Sequence, residues 1–497
     1  MRSLRILLSG LLILFLIFSL NCAKTQKLKI LQVKKPGIPV VHFRVMVFSG
    51  SADDPVGKQG LAYFTSSLLK KGTQSYSRED VEELLDYLSA SINVRVDKEA
   101  IVISGTTLKE NLDKFYTLFS EVLLKPAFSE EEIKKQKNEQ EDALNMLIQD
   151  DAELVRECLQ DFIYENHPYG HPPVGYLSAI EGFTREDALS FYNTHFVKNN
   201  LLIGLAGDID QSLVEKMRND FSGLKEEKVV HPERVVQVLE GRKLFLVEKE
   251  GRDQTQLCFG HPVSFTRKDE EIFFPLFMAN TYFGKHRESF GALFQKVRTA
   301  RGLSYGAYSY MEHFKQAGWS NLASPNNPRK DQYFSLWTYT KSINGKFTIK
   351  LVLKELTDLV EKGVPEEELE KYKDFEVNHF PFEIETSQRK LGLLMDEEFY
   401  CNYGFVDNFE KKIKGLTLDQ VNQSLQKYIF PDDIIIVAIV SKAEDFKRKL
   451  LSDITLMEYP SGVDGASLEE EDEKVKALDL KIKPEDIVIV KASELFK

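Results

Sequence analysis

Cysteine is nearly absent from this chain: four residues in 497, at Cys22, Cys158, Cys258 and Cys401. The last three are too widely spaced for a disulfide framework or a zinc knuckle, and buried thiols are the expectation. An excess of positive charge is missing too. With 65 Lys and Arg against 77 Asp and Glu, the formal net charge is −12, which argues against a nucleic-acid partner, since phosphate contacts need a basic face. The N-terminal apolar run, Ile6 to Leu20, is short for a bilayer span and matches a signal-peptide core. A metal-binding histidine pair is also wanting. His167 and His171 have i, i+4 spacing, but Pro168, Gly170 and Pro172 forbid a helix there, so the rings need not share a face.

What is present points to a globular protein of more than one domain. The hydrophobic content is 42% and the charged content 29%, and the length exceeds what one core usually supports. Self-comparison sharpens this. Phe128 to Lys137 parallels Val364 to Lys373 at an offset of 236, each opening a helix after an amphipathic one (Asn111 to Leu124, Phe347 to Val360). Ser129 and Glu132 are placed for a capping box, and Pro365 for a first turn. Thr184 and Thr417 both read as helix starts, and Leu201–Gly207 and Ile434–Val440 as apolar strands, each pair 233 apart. The pattern predicts two homologous α+β domains, 27–225 and 240–455, joined by a linker at 226–239 and followed by an acidic extension at 456–497. Several strands run consecutively, among them Val41 to Gly50 and Ala100 to Thr107, which favours mostly antiparallel sheets covered by helices. Glu469 to Glu473 read as a solvated linker, and Ile487–Val490 as a possible edge strand.

The first 22 residues form a separate segment. A basic Met1–Arg5, the apolar run and Asn21-Cys22 resemble a bacterial lipoprotein signal in which Cys22 is lipidated. Leu20 stands one place late and Asn21 occupies a position usually held by Gly or Ala. An uncleaved anchor helix or an ordinary secretory signal are the alternatives.

Two motifs carry a family resemblance that covers nearly all of both halves. Gly60-Leu-Ala-Tyr63-Phe-Thr-Ser66-Ser67, ending at Gly72-Thr73, resembles the first helix of the M16 (pitrilysin/insulysin-like) metallopeptidases, G-L-A-H-F-x-E-H. That H-x-x-E-H places two imidazoles on one helix face to bind zinc, with Glu as general base. Here those positions are Tyr63, Ser66 and Ser67, whose phenol and hydroxyls cannot hold catalytic zinc at neutral pH. The family's third ligand, a downstream Glu, falls near Leu144, with Glu139, Glu141 and Asp142 slightly early. The second motif, Leu293 to Tyr305, resembles L-x-x-x-x-R-x-x-x-G-L-x-Y. In the family that Arg and Tyr reach across a closed chamber to the zinc site of the opposite half, donating hydrogen bonds to the substrate carbonyl. Arg298 and Tyr305 hold those positions. Arg301 reads as the surface charge, and Tyr308 and Tyr310 as structural strand residues. Asn166 to Gly170, Gly207-Asp208, Glu367 to Glu370 and the acidic turn Asp53-Asp54-Pro55 are weaker markers.

The resemblance implies half of a clamshell: a non-catalytic, metal-free M16-like subunit supplying Arg298 and Tyr305 in trans. Zinc would reside in a partner subunit bearing H-x-x-E-H, and peptides would be the substrates. The chain alone would hydrolyse nothing. A lipid anchor would place it in a bacterial envelope, on the periplasmic side or the cell surface. The rival is a pseudopeptidase that binds peptides or scaffolds an envelope complex without a catalytic partner. A self-sufficient hydrolase built on another nucleophile is a distant third.

Overall fold

The computed structural model describes residues 28–232, 235–311, 329 and 331–497; Cys22 and the signal segment lie outside the described residues. Two sheets organise the chain. The first holds β1 (Lys29–Lys34), β2 (Val40–Val47), β3 (Ser91–Val96), β4 (Ile101–Leu108) and β5 (Leu201–Gly207), in the order β1-β5-β2-β4-β3. The second holds β6 (Lys243–Glu248), β7 (Gln254–Val263), β8 (Ala307–Tyr310), β9 (Gln332–Lys341), β10 (Ile435–Val440) and β11 (Ile487–Lys491), in the order β11-β6-β10-β7-β9-β8. Without β11 the two orders are the same. Among the described residues, only β1–β5, β6–β10 and β6–β11 are parallel, and every other neighbour is antiparallel.

Strand register makes the repeat quantitative. Gln32 and Phe43 flank Leu205 in the first sheet, and Leu246 and Leu257 flank Ala438 in the second. Gly105 opposite Phe43 matches Thr338 opposite Leu257. The offset is therefore 214 for β1 and β2 and 233 for β4 and β5, as these residue numbers show. The extra chain lies between β8 and β9, which is why self-comparison detects only the later landmarks.

The predicted helix starts are capped as their residues dictate. Thr184 and Thr417 head reciprocal boxes with Asp187 and Gln420. Ser129 differs. Its hydroxyl accepts from the Glu132 amide, but the Glu132 carboxylate is drawn away to Arg78 and Lys135.

The two domains interlock by exchanging helices. Asp151–Ile163 of the first lies on β7 and β10, and Ser387–Tyr400 of the second lies on β1 and β5. This exchange explains why Leu201–Gly207 is buried along its whole length instead of alternating. Ile203 and Leu205 face their own domain's core, while Leu202 and Ala206 pack with Leu391, Met395 and Phe399 from the other. Gly204 sits where that helix crosses: a Cβ there would come within 2.5 Å of Met395 Sδ. The second sheet mirrors this, with Ile435, Val437 and Ile439 joining the first domain's core and Ile436, Ala438 and Val440 their own.

The acidic segment departs from its expected solvated state. Glu469–Ala477 is a helix in which Asp472 is buried, because a buried arginine (described below) draws it in. Ile487–Lys491 adds the edge strand beside β6.

Candidate functional site

Helix Leu61–Leu68 begins at Gly60, whose φ of +99° suits glycine, and Asp54 fixes its start. The Asp54 carboxylate accepts from the Gly60 and Ala62 amides at 2.6 and 2.7 Å and lies 3.1 Å from His171 Nε2. Burial raises the Asp54 pKa despite these bonds. The acidic turn is thus an anchor for the helix that carries Tyr63, Ser66 and Ser67.

Tyr63 and Ser67 face each other, and Ser66 is enclosed beside them. The Tyr63 phenol hydrogen-bonds Ser67; burial pushes its pKa up, that bond opposes the shift, and the nearby Glu139 charge adds to it. Ser66 is fully buried and its Oγ finds no hydrogen-bond partner among the described residues. Leu144, nearest the expected third-ligand position, is a core residue, and Glu141 and Asp142 face solvent. Glu139 alone comes close, and it is engaged: Lys71 Nζ lies 2.5 Å from one oxygen and Arg78 Nη1 3.1 Å from the other. A phenol, two hydroxyls and an ion-paired carboxylate do not fit catalytic zinc. Among the described residues, no group of three His, Cys, Asp or Glu is disposed to hold a metal.

His167 and His171 go separate ways. His171 faces Asp54, whereas His167 lies 3.5 Å from Asp331 and accepts from the Tyr169 amide. The segment is a loop, as its prolines require.

The second motif occupies a turn between Ala292–Phe294 and β8. Gln295–Thr299 is π-helical, and the widened turn leaves Arg298 on the outside. Its guanidinium lies between the rings of Phe294 and Tyr305, 4.9 and 5.2 Å from their centroids. Nη1 also donates to the Tyr305 carbonyl at 3.2 Å. Tyr305 is 75% exposed. The structure therefore brings Arg298 and Tyr305 together on the surface of the second domain. Tyr310 is buried with its hydroxyl against His286, and Tyr308 stacks on Trp337, both as structural residues.

Arg301 is not the surface charge expected. It is 0% exposed, pairs with Asp472 at 2.8 Å and Glu471 at 3.2 Å, and donates to the Lys296 carbonyl. The spacing from Arg298 could not reveal this, because its partner lies 171 residues downstream.

The self-sufficient hydrolase was set last for want of a G-x-S-x-G nucleophile elbow, yet Gly302-Leu-Ser304-Tyr-Gly306 fits that signature. The geometry rejects that role. Ser304 is buried, its hydroxyl donates to the Gly306 carbonyl and accepts from the Gly306 amide, and it precedes a strand where an elbow precedes a helix.

Comparison with known proteins matches this architecture. The profile of the insulinase family, peptidase family M16, matches residues 29–175, and that of the peptidase M16 inactive domain matches 182–375. An uncharacterized zinc protease, YmxG, of Bacillus subtilis is 21% identical over 83% of this chain and 95% of its own length. The non-peptidase homolog YmxG of Helicobacter pylori is 24% identical over 82% and 90%. Among solved structures, a peptidase M16 inactive domain from Pseudomonas fluorescens superposes with a TM-score of 0.73 at 21% identity, covering 82% of this chain and 94% of that one. The periplasmic protease PqqL of Escherichia coli gives 0.65 at 16% identity; the match covers 90% of this chain but 49% of PqqL.

Proposed function

The chain belongs to peptidase family M16, and on that premise we propose that it is a zinc-free subunit lending Arg298 and Tyr305 to a partner's active site. The observation that carries this reading is a contrast within one chain. The helix that would hold metal and base offers Tyr63, Ser66 and Ser67, while the Arg298–Tyr305 pair stands assembled and exposed. A guanidinium and a phenol at a scissile carbonyl would donate hydrogen bonds to the oxygen as negative charge develops there. The partner would supply metal and base through H-x-x-E-H, and the substrates would be peptides able to enter the chamber. The match to half of PqqL suits a chain that makes one half of such a chamber.

Lipidation at Cys22 would hold the subunit to an envelope membrane; among the described residues no helix is long and apolar enough to cross one. Incorporation of labelled fatty acid by wild type and its loss in Cys22→Ser is the expected result. Absence of label in wild type refutes the anchor.

Affinity purification from the native membrane tests the partnership. Recovery of an M16 chain bearing H-x-x-E-H, with chelator-sensitive peptidase activity only in the mixture, is expected. If no such chain co-purifies or restores activity, the scaffold reading replaces this one, as the name of the Helicobacter pylori relative would favour.

A further inference from the structure

The Arg298–Tyr305 turn is held from outside its own domain core, by the chain's C-terminal extension. Arg301, three residues after Arg298, turns inward and grips two things at once. Nη1 binds the Lys296 carbonyl of the π-helical turn at 3.0 Å, and Nε binds Asp472 Oδ1 at 2.8 Å. Both Arg301 and Asp472 are buried, so the pair is directional and shielded from salt. Lys296, in the same turn, pairs with Glu471 at 2.8 Å. Tyr459 hydrogen-bonds Asp472 from the other side. Gly302 closes the turn with φ +63°, and a Cβ there would meet Pro460 Cγ at 2.6 Å. Two conditions thus demand glycine: the left-handed backbone and the close approach of the extension.

The extension is itself anchored at its far end. β11 pairs with β6 in register from Ile487 to Lys491, and Phe496 is buried against the first domain, accepting from the Leu177 amide at 2.9 Å and stacking on Tyr176. Arg301 and Asp472 therefore connect the turn to a segment fixed on both domains.

We propose that residues 459–497 of the extension form a positioning clamp, with Arg301 and Asp472 as positioning residues that set where Arg298 and Tyr305 point. This rests on the proposed in-trans role for its consequence on turnover, but the clamp itself is a property of the isolated chain.

Two arms separate these levels. In the full chain alone, hydrogen exchange at the Gly302 and Leu303 amides, which bond back to Arg298 and Val297, should accelerate in Asp472→Asn and in the milder Glu471→Gln. First-domain amides such as those of β4 should keep their wild-type rates. In the reconstituted pair with the zinc-bearing subunit, Asp472→Asn should lower kcat by about 100-fold with KM little changed, the cost of a displaced group of roughly 1 Å. Asp472→Glu should recover part of that loss, and Arg298→Ala/Asp472→Asn should be no worse than Arg298→Ala alone. Unchanged exchange at 302–303 in both variants overturns the clamp. Faster exchange with undiminished kcat, where Arg298→Ala still abolishes turnover, overturns the positioning role and leaves the in-trans reading standing. If Arg298→Ala itself is silent, the in-trans reading fails, and exchange alone decides the clamp.

Discussion

The ammonium of Lys71 lies 2.5 Å from Glu139 Oε2, and Arg78 holds the other oxygen of the same carboxylate at 3.1 Å. This carboxylate approaches the helix carrying Tyr63, Ser66 and Ser67, and two cations occupy it. Burial pushes its pKa up, but the Lys71 and Arg78 contacts prevail and leave it below the ordinary value. An ion-paired network thus engages the one carboxylate beside the Tyr63 helix.

The purified chain should accordingly retain far less than one zinc after exhaustive dialysis. The triple variant Tyr63→His/Ser66→Glu/Ser67→His should still fail to retain it, because Leu144 supplies carbon near the third-ligand position and Glu139 is engaged. Adding Leu144→Glu is the step expected to raise affinity. Metal analysis settles this, and one tightly held zinc in wild type would refute the reading.

In the reconstituted pair, Arg298→Ala or Tyr305→Phe should each slow turnover by about 100- to 1000-fold, the cost of removing one donor to a developing oxyanion. Both side chains are exposed, so stability should move by no more than about 0.5 kcal/mol. Steady-state kinetics alongside urea titration would show the split; a silent Tyr305→Phe would count against the role.

In stability, Arg301→Ala should differ from Arg298→Ala. Removing the guanidinium leaves Asp472 buried without its partner, a loss of roughly 3–5 kcal/mol for a broken buried pair. Urea unfolding should show the loss in Arg301→Ala and none in Arg298→Ala. Equal stabilities would mean the Arg301–Asp472 pair contributes nothing.

The contribution of His261 to stability should fall on mild acidification. Burial holds the His261 imidazole down at about 4, with Nε2 accepting from the Phe430 amide. The unfolded chain takes up a proton near 6.5 that the folded chain refuses, so folding weakens as pH drops from about 6.5 to 4, by up to roughly 3 kcal/mol. His261→Gln should flatten that limb in urea titrations at pH 7 and 4.5; an unchanged drop would assign it to other groups. Asp161 has the reverse sign. Burial raises it to about 7, so its contribution is present below its unfolded pKa and lost as pH rises through 7.

Gly204→Ala should destabilise by about 1–3 kcal/mol, the typical cost of overpacking, because the new methyl meets Met395 Sδ across the domain junction. Met395→Ala should cost less in that background than in wild type. A double-mutant cycle on thermal unfolding reads the coupling, and strict additivity would contradict the contact.

Much of the frame was legible from local pattern. Helix starts followed from Thr184 and Thr417, whose hydroxyls sit three residues before a side chain that caps in return. The strands Leu201–Gly207 and Ile435–Val440 followed from apolar runs, and their constant spacing revealed the repeat. The first half of that repeat was hidden, since the offset steps from 214 to 233 between β8 and β9. Complete burial of β5 was also beyond local reading, because the covering Ser387–Tyr400 helix comes from the other domain.

The sequence alone determined which chemistry the first helix can and cannot perform, because Tyr63, Ser66 and Ser67 lack the donors whatever surrounds them. It also singled out Arg298 and Tyr305, seven residues apart around a glycine, as a pair to be sought together. Tertiary structure decided the rest. Arg298 and Arg301 are the same residue type on one short turn, yet one is exposed beside Tyr305 and the other is enclosed by Asp472 from 171 residues away. The fate of a charged side chain depends on whether a counter-charge reaches it and excludes water. That contact is made by the folding of the whole chain, so no local pattern contains it.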